Sequence, residues 1–103
     1  MRKVDLRNYV AFNGQPFEVR PSLVAILFNG KYDPRELITR DRLAQRIEAA
    51  SDEFILLEET DFARLISGLN ATDLSGIGRS AAPFCQRLLD TAIVDVQEKP
   101  QPV

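Results

Sequence analysis

Residues 33–50, DPRELITRDRLAQRIEAA, constrain the fold more than any other stretch of this 103-residue chain. Asp33 suits a helix N-cap, because its carboxylate can accept from a backbone N–H of the first turn. Pro34 suits the first helical position, where an N–H has no helical partner and φ is already close to helical. Glu36 stands three residues past the cap, as in a capping box, and four before Arg40, the spacing of an ion pair on one helix face. Leu43, Ile47 and Ala50, with Leu37 and Ala44, make one apolar stripe. The pattern predicts a helix, with Thr39 as an alternative start. Such a stripe stabilises a helix only when something covers it, so the rest of the chain must supply the cover.

Residues 4–20, VDLRNYVAFNGQPFEVR, alternate around Asn13-Gly14, the dipeptide that favours tight hairpin turns. A two-residue loop would place Phe12 opposite Gln15, Val10 opposite Phe17 and Asn8 opposite Val19. Val10, Phe12, Phe17 and Val19 would then share the face turned to the core. Pro16 would stand opposite Ala11 at a non-hydrogen-bonded pair, where its missing N–H costs the ladder nothing.

Residues 21–30, PSLVAILFNG, predict a short helix opened by Pro21 or Ser22 and closed by Gly30, with Leu23, Val24, Leu27 and Phe28 on its apolar face. Phe54 to Leu57 read as an extended apolar segment. A helix follows, with Glu58, Glu59, Thr60 and Asp61 around its first turn, where negative charge complements the helix dipole. Phe62, Leu65, Ile66 and Leu69 mark its inner face. Pro83 to Ala92 predict a last helix, with Phe84 and Leu88 inside and Cys85 and Leu89 as further inward candidates. Residues 92–96, AIVDV, alternate and suggest a strand added to the hairpin. The architecture expected is α+β: an N-terminal β-hairpin packed on three to four helices, with that short C-terminal strand. Residues 1–96 form one domain, and the polar, proline-containing 97–103 form a tail.

Composition narrows function. Hydrophobic residues are 45% and charged residues 27% of the chain, a globular balance. The longest apolar run, Leu23 to Phe28, is far short of the ~20 residues of a membrane span. The N-terminal MRKVDLRNYV has no apolar run behind its basic residues, so no secretory signal and no membrane association are expected. The chain has no histidine and one cysteine, Cys85. It therefore lacks the commonest general base and cannot form a thiolate zinc site. No catalytic, metal-binding or cofactor-binding residue is assigned, and the expectation is a non-enzyme without cofactor. The Glu58–Asp61 carboxylates could be read as a metal or hydrolytic site, but a dipole-favoured helix start explains them. Cys85, beside Phe84 and Leu88, reads as a small buried hydrophobe.

The sharpest local motif is LSGIGRSAA, Leu74 to Ala82. It resembles the helix-hairpin-helix DNA-binding motif, whose hairpin typically reads L-P-G-I-G with an alanine four residues later. The resemblance implies that backbone N–H groups near Gly76 and Gly78, with Arg79, hold a phosphate at a helix start. The other reading is a glycine-assisted turn between two packed helices. Charge favours the turn: residues 1–50 carry nine Lys/Arg against six Asp/Glu, whereas residues 51–103 carry four against nine, and the motif lies in the acidic half. Arg35, Arg42 and Arg46 share a face of the Asp33 helix and could follow a phosphate backbone or an acidic partner surface. Glu36, Asp41 and Glu48 on the same helix favour a solvated mixed-charge face, and Arg42 and Arg46 are also placed to pair with the Glu58–Asp61 turn.

A wider resemblance covers about residues 14–90. RDRLAQRIEAA (40–50), LEETDFARLI (57–66) and QRLLD (86–90) are similar to the helices of small accessory proteins of tailed bacteriophages and prophages. That group has no settled activity, so no site residue transfers. The resemblance implies a phage-encoded protein that contacts another protein, as a virion or assembly component or a modulator of a host enzyme. It further implies a cytoplasmic setting in a bacterial host or association with the virion, with self-association left open. The alternative function is nucleic-acid binding through Gly76, Gly78 and Arg79.

Overall fold

A three-residue loop, Phe12-Asn13-Gly14, decides how the N-terminal ribbon faces the core. The Ala11 N–H donates to the Gln15 carbonyl (2.8 Å), the Gly14 N–H to the Ala11 carbonyl (2.9 Å), and the Gln15 N–H to the Asn13 side chain (3.1 Å). Gly14 takes φ +82°, the left-handed conformation this loop needs at its last residue. In the computed structural model, which describes residues 1–76, 78–91 and 93, strand β2 (Tyr9–Val10) therefore pairs with β3 (Pro16–Phe17) as Tyr9↔Phe17 and Val10↔Pro16. This is one residue out of the register expected from a two-residue loop, and a one-residue slip exchanges the two faces of a strand. Val10 and Phe12 consequently point to solvent, at 73% and 63% exposure. Tyr9 takes their place beside Phe17, which faces the core as expected; the two rings stack 4.9 Å apart, and Phe17 packs on Phe84.

The segment before this ribbon forms a separate strand, β1 (Arg2–Asp5), which pairs antiparallel with β4 (Phe54–Leu57) in the register Arg2↔Leu57 to Asp5↔Phe54. Val4 and Leu57 turn inward and are almost fully buried. Ile93 forms an isolated bridge to Arg2, so this residue meets β1 and not the hairpin. The other residues of the expected strand, 92 and 94–96, and the tail 97–103 lie outside the described residues.

Helix α1 (Val19–Leu27) begins two residues earlier than Pro21 suggests. The Asn8 side chain accepts from the Val19 N–H (2.9 Å) and supplies the cap that Glu18 does not. Pro21 falls in the first turn, where proline is tolerated. Val19, Leu23, Ile26 and Leu27 are buried, whereas Phe28, expected inside, is exposed. Helix α2 (Pro34–Ala49) starts as expected, with Asp33 accepting from the Glu36 N–H at 2.8 Å. Glu36's carboxylate serves Arg40 and Arg64. Leu43, Ala44 and Ile47 are inside, but Leu37 is 47% exposed, and Arg40 occupies the inner face one turn along. Helix α3 (Glu59–Asn70) buries Phe62, Leu65, Gly68 and Leu69. A 3₁₀ turn (Gly78–Ala81) leads into α4 (Ala82–Leu89), which buries Phe84 and Leu88 and leaves Leu89 exposed. The fold is thus α+β, with α1 packed against α2 and α3, and with β4 against α3 and β1 against α4.

Tyr9 joins the hairpin to the last helix. Its hydroxyl donates to the Ser80 carbonyl (2.6 Å) and accepts the Phe84 N–H (3.1 Å). Tyr9→Phe should cost about 1–2 kcal/mol, since it leaves both partly buried backbone groups unpaired. Urea unfolding of the two proteins measures this, and an unchanged midpoint contradicts it.

Candidate interaction surface

The turn at residues 74–82 is closed from within. Asp73 accepts the Ser75 N–H (3.0 Å), and the Gly78 N–H donates to the Leu74 carbonyl (2.7 Å). Gly78 takes φ +60°. Pro83 falls at the second position of α4. With the Phe84 N–H bound to Tyr9, two of the donors an anion nest would use are already engaged. Gly76, Gly78 and Arg79 are exposed, and the Arg79 guanidinium lies 4.9 Å from the Phe12 ring centroid. Arg87, the nearest other arginine in the chain, donates to the Arg7 carbonyl and stands 3.5 Å from Asp5. Ile77 lies outside the described residues.

Most arginines hold the fold together. Arg40, 4% exposed, donates to Glu36 (2.8 Å), to the Leu27 carbonyl at the end of α1 (2.9 Å) and to the Tyr32 hydroxyl (3.0 Å), and it stacks on the Tyr32 ring. Arg64 joins Glu36 (2.9 Å) to Asp61 (3.0 Å), and Arg46 reaches Asp61 from α2 (3.1 Å). Arg20 donates to the Ile47 and Asp52 carbonyls, which closes the C-terminal end of α2. Arg2 binds Glu59 and the Thr91 carbonyl and lies over Phe62. The acidic turn is thereby accounted for in part: Glu59 serves Arg2, and Asp61 serves Arg46 and Arg64. Of the α2 set, Arg46 is paired, whereas Arg35 and Arg42 extend from the helix into solvent without a side-chain partner among the described residues. Cys85 is half-buried on α4, and burial pushes its thiol above the ordinary value.

These pairs make stability depend on acid. The hydrogen bond from Arg64, followed by that from Arg40, holds the Glu36 carboxyl below its ordinary value, against an opposing effect of burial. At Asp5 burial pushes upward, but the Arg7 hydrogen bonds and the Arg87 charge outweigh it and the carboxyl is lowered. A carboxyl whose folded value is lowered stabilises the fold above its unfolded value, and that contribution is lost as pH falls through the folded value. Denaturant midpoints should therefore drop between pH 5 and pH 2 by more in the wild type than in Glu36→Gln. Equal drops would remove Glu36 from the account.

The surface retains large apolar side chains: Val10 and Phe12 on the hairpin, Phe28 at the end of α1 beside Leu37 and Ile38 of α2, Leu56 on β4 and Leu89 on α4. The sequence pattern assigned four of these, Val10, Phe12, Phe28 and Leu37, to the core, and made Leu89 an inward candidate as well. Tyr9, Arg40 and Gly68, which position the elements, carried no signal except the Glu36–Arg40 spacing. No helix among the described residues is long and apolar enough to cross a membrane.

No protein-family model matches this chain, and no curated protein or solved structure is a significant match.

Proposed function

We propose that this protein is a non-enzymatic interaction module that binds another protein. The observation that carries this reading is the pair of apolar exposures at Val10 and Phe12 on the hairpin and at Leu37 and Ile38 on α2. A fold that draws its arginines into ion pairs and helix ends while leaving these side chains in water supports this reading, because exposed apolar groups can anchor a partner. The resemblance to tailed-phage accessory proteins supplies the setting: an assembly, virion-associated or host-modulating role in a bacterial cell.

Nucleic-acid binding through Gly76, Gly78 and Arg79 is the second reading, favoured by the exposure of that turn at a helix start. Affinity for nucleic acid rises with the number of phosphates contacted, and this turn offers a single guanidinium, so protein binding is preferred.

Capture from infected or lysogenic cells separates the two. The wild type should retain a discrete protein that Phe12→Asp or Ile38→Asp loses, and both substitutions should leave stability within about 0.5 kcal/mol, because the side chains are exposed. Low-salt titration with duplex DNA should show no dependence on Arg79→Glu. Arg79-dependent DNA binding, with no protein retained above control, would replace the first reading by the second.

A further inference from the structure

The pairing of β1 with β4 fixes which backbone groups of β4 face outward. The Leu6 N–H donates to the Glu53 carbonyl (2.7 Å), one step beyond the Asp5↔Phe54 pair. Leu6 and Glu53 are therefore a hydrogen-bonded pair, and such pairs alternate along an antiparallel ladder. Val4–Ile55 and Arg2–Leu57 are then bonded, while Lys3–Leu56 and Asp5–Phe54 turn their N–H and C=O groups away from each other. On the β1 side, Ile93 bridges at Arg2. On the β4 side, the outward N–H and C=O groups of Phe54 and Leu56 meet no described residue. A strand edge of this kind is a template for another strand.

The surroundings specify the occupant. Lys3, Asp52, Glu53, Phe54 and Leu56 line a shallow hollow of about 480 Å³ over one face of the β1–β4 pair, with Leu56 39% exposed. Asp52, Glu53 and Glu58 flank the strand at its two ends and are exposed. Their carboxylates accept no hydrogen bond and form no ion pair with the described residues, and Glu53 acts on Arg7 only through space. Lys3, lying over the Phe54 ring, is the cation in the hollow. A second copy of β4, in the register that joins the outward groups of Phe54 to those of Leu56, sets Glu58 opposite Asp52 of the other copy at both ends. Like charges directly opposite each other are destabilising in a sheet. The same carboxylates repel a phosphate backbone.

We propose that the β4 edge takes an extended segment of a partner protein as an added strand, with basic residues at the segment's two ends and an apolar residue seated beside Leu56. This rests on the protein-interaction reading and names the partner's chemistry. Main-chain bonds to Phe54 and Leu56 would give affinity, and the flanking acids would set the preference for a basic strand.

The test uses the full chain and capped hexapeptides of the pattern Lys-Thr-Val-Thr-Val-Lys, the same peptide with Glu at both ends, and a form N-methylated along the edge-facing side. Fluorescence anisotropy and amide exchange at single residues are the readouts. The basic peptide should bind about tenfold more tightly than the acidic one, and binding should slow exchange at Phe54 and Leu56. N-methylation should abolish it. Asp52→Lys with Glu58→Lys, both at exposed sites, should invert the peptide preference. Equal binding of the two peptides, protection of Phe54 and Leu56 by the protein's own chain or by a second copy before peptide is added, or exchange changes confined to another face would each overturn the proposal. Capture that still depends on Phe12 or Ile38 while the peptides fail would overturn this edge alone. Failure of both would remove the interaction reading as well.

Discussion

Gly68→Ala should destabilise the protein by about 3 kcal/mol, a large part of the 5–15 kcal/mol that holds an ordinary domain together. A Cβ at Gly68 would lie 2.0 Å from the Ile26 carbonyl oxygen and 2.7 Å from its carbon. Both are backbone atoms of α1, so no side-chain rotation relieves the clash, and α1 and α3 must move apart. That movement opens the contact around Leu23 and Leu27, which are completely buried. Alanine's better helix propensity returns about 1 kcal/mol, less than the separation costs. Gly76→Ala is the control: a Cβ there meets nothing within 4 Å, and its unfolding midpoint should stay near the wild type. Chemical denaturation of the three proteins decides the matter, and a Gly68→Ala protein as stable as the wild type contradicts the close helix approach.

Arg40→Ala should cost about 3 kcal/mol. The substitution removes the donor that satisfies the Leu27 carbonyl at the end of α1, the bond to the Tyr32 hydroxyl and the stacking on that ring. It also opens a cavity on the inner face of α2. Glu36 keeps Arg64, so the carboxylate is not stranded, and the cost falls at the lower end of the range for breaking a buried pair. Arg40→Lys should recover only part, because one ammonium cannot reach Glu36, Leu27 and Tyr32 with the geometry of a planar guanidinium. Unfolding free energies ordered wild type, Lys, Ala are expected. A lysine variant equal to the wild type would show that charge alone matters at this position.

The sequence was most legible where local chemistry acts alone. Asp33, Pro34 and the Leu43–Ile47 stripe specify α2 within a few residues, and the Phe62–Leu65–Leu69 spacing does the same for α3. Legibility failed where a single residue chooses between two local solutions. Asn13-Gly14 serves a two-residue loop and a three-residue loop equally well, and the choice turns Val10 and Phe12 from core to surface. It also failed where contacts are distant in the chain. The pairing of β1 with β4 spans some fifty residues, and Gly68 matters only because Ile26 lies against it. The Glu36 spacing marks Arg40 as an ion-pair partner but not as a buried one, because an apolar stripe admits no arginine by rule, although its guanidinium finds four polar partners in Glu36, Leu27, Tyr32 and Arg64. For function, the absence of histidine and the single cysteine narrowed the chemistry, while the β4 edge became visible only through the sheet register.

The most direct test of the central claim places a photo-crosslinking amino acid in turn at Phe12, Ile38 and Leu56, and at the exposed controls Glu48 and Ala63, in cells carrying the gene. Protein adducts of defined mass should form from at least one of the three apolar positions and from neither control. Adducts no stronger at the apolar positions than at the controls would contradict the interaction reading.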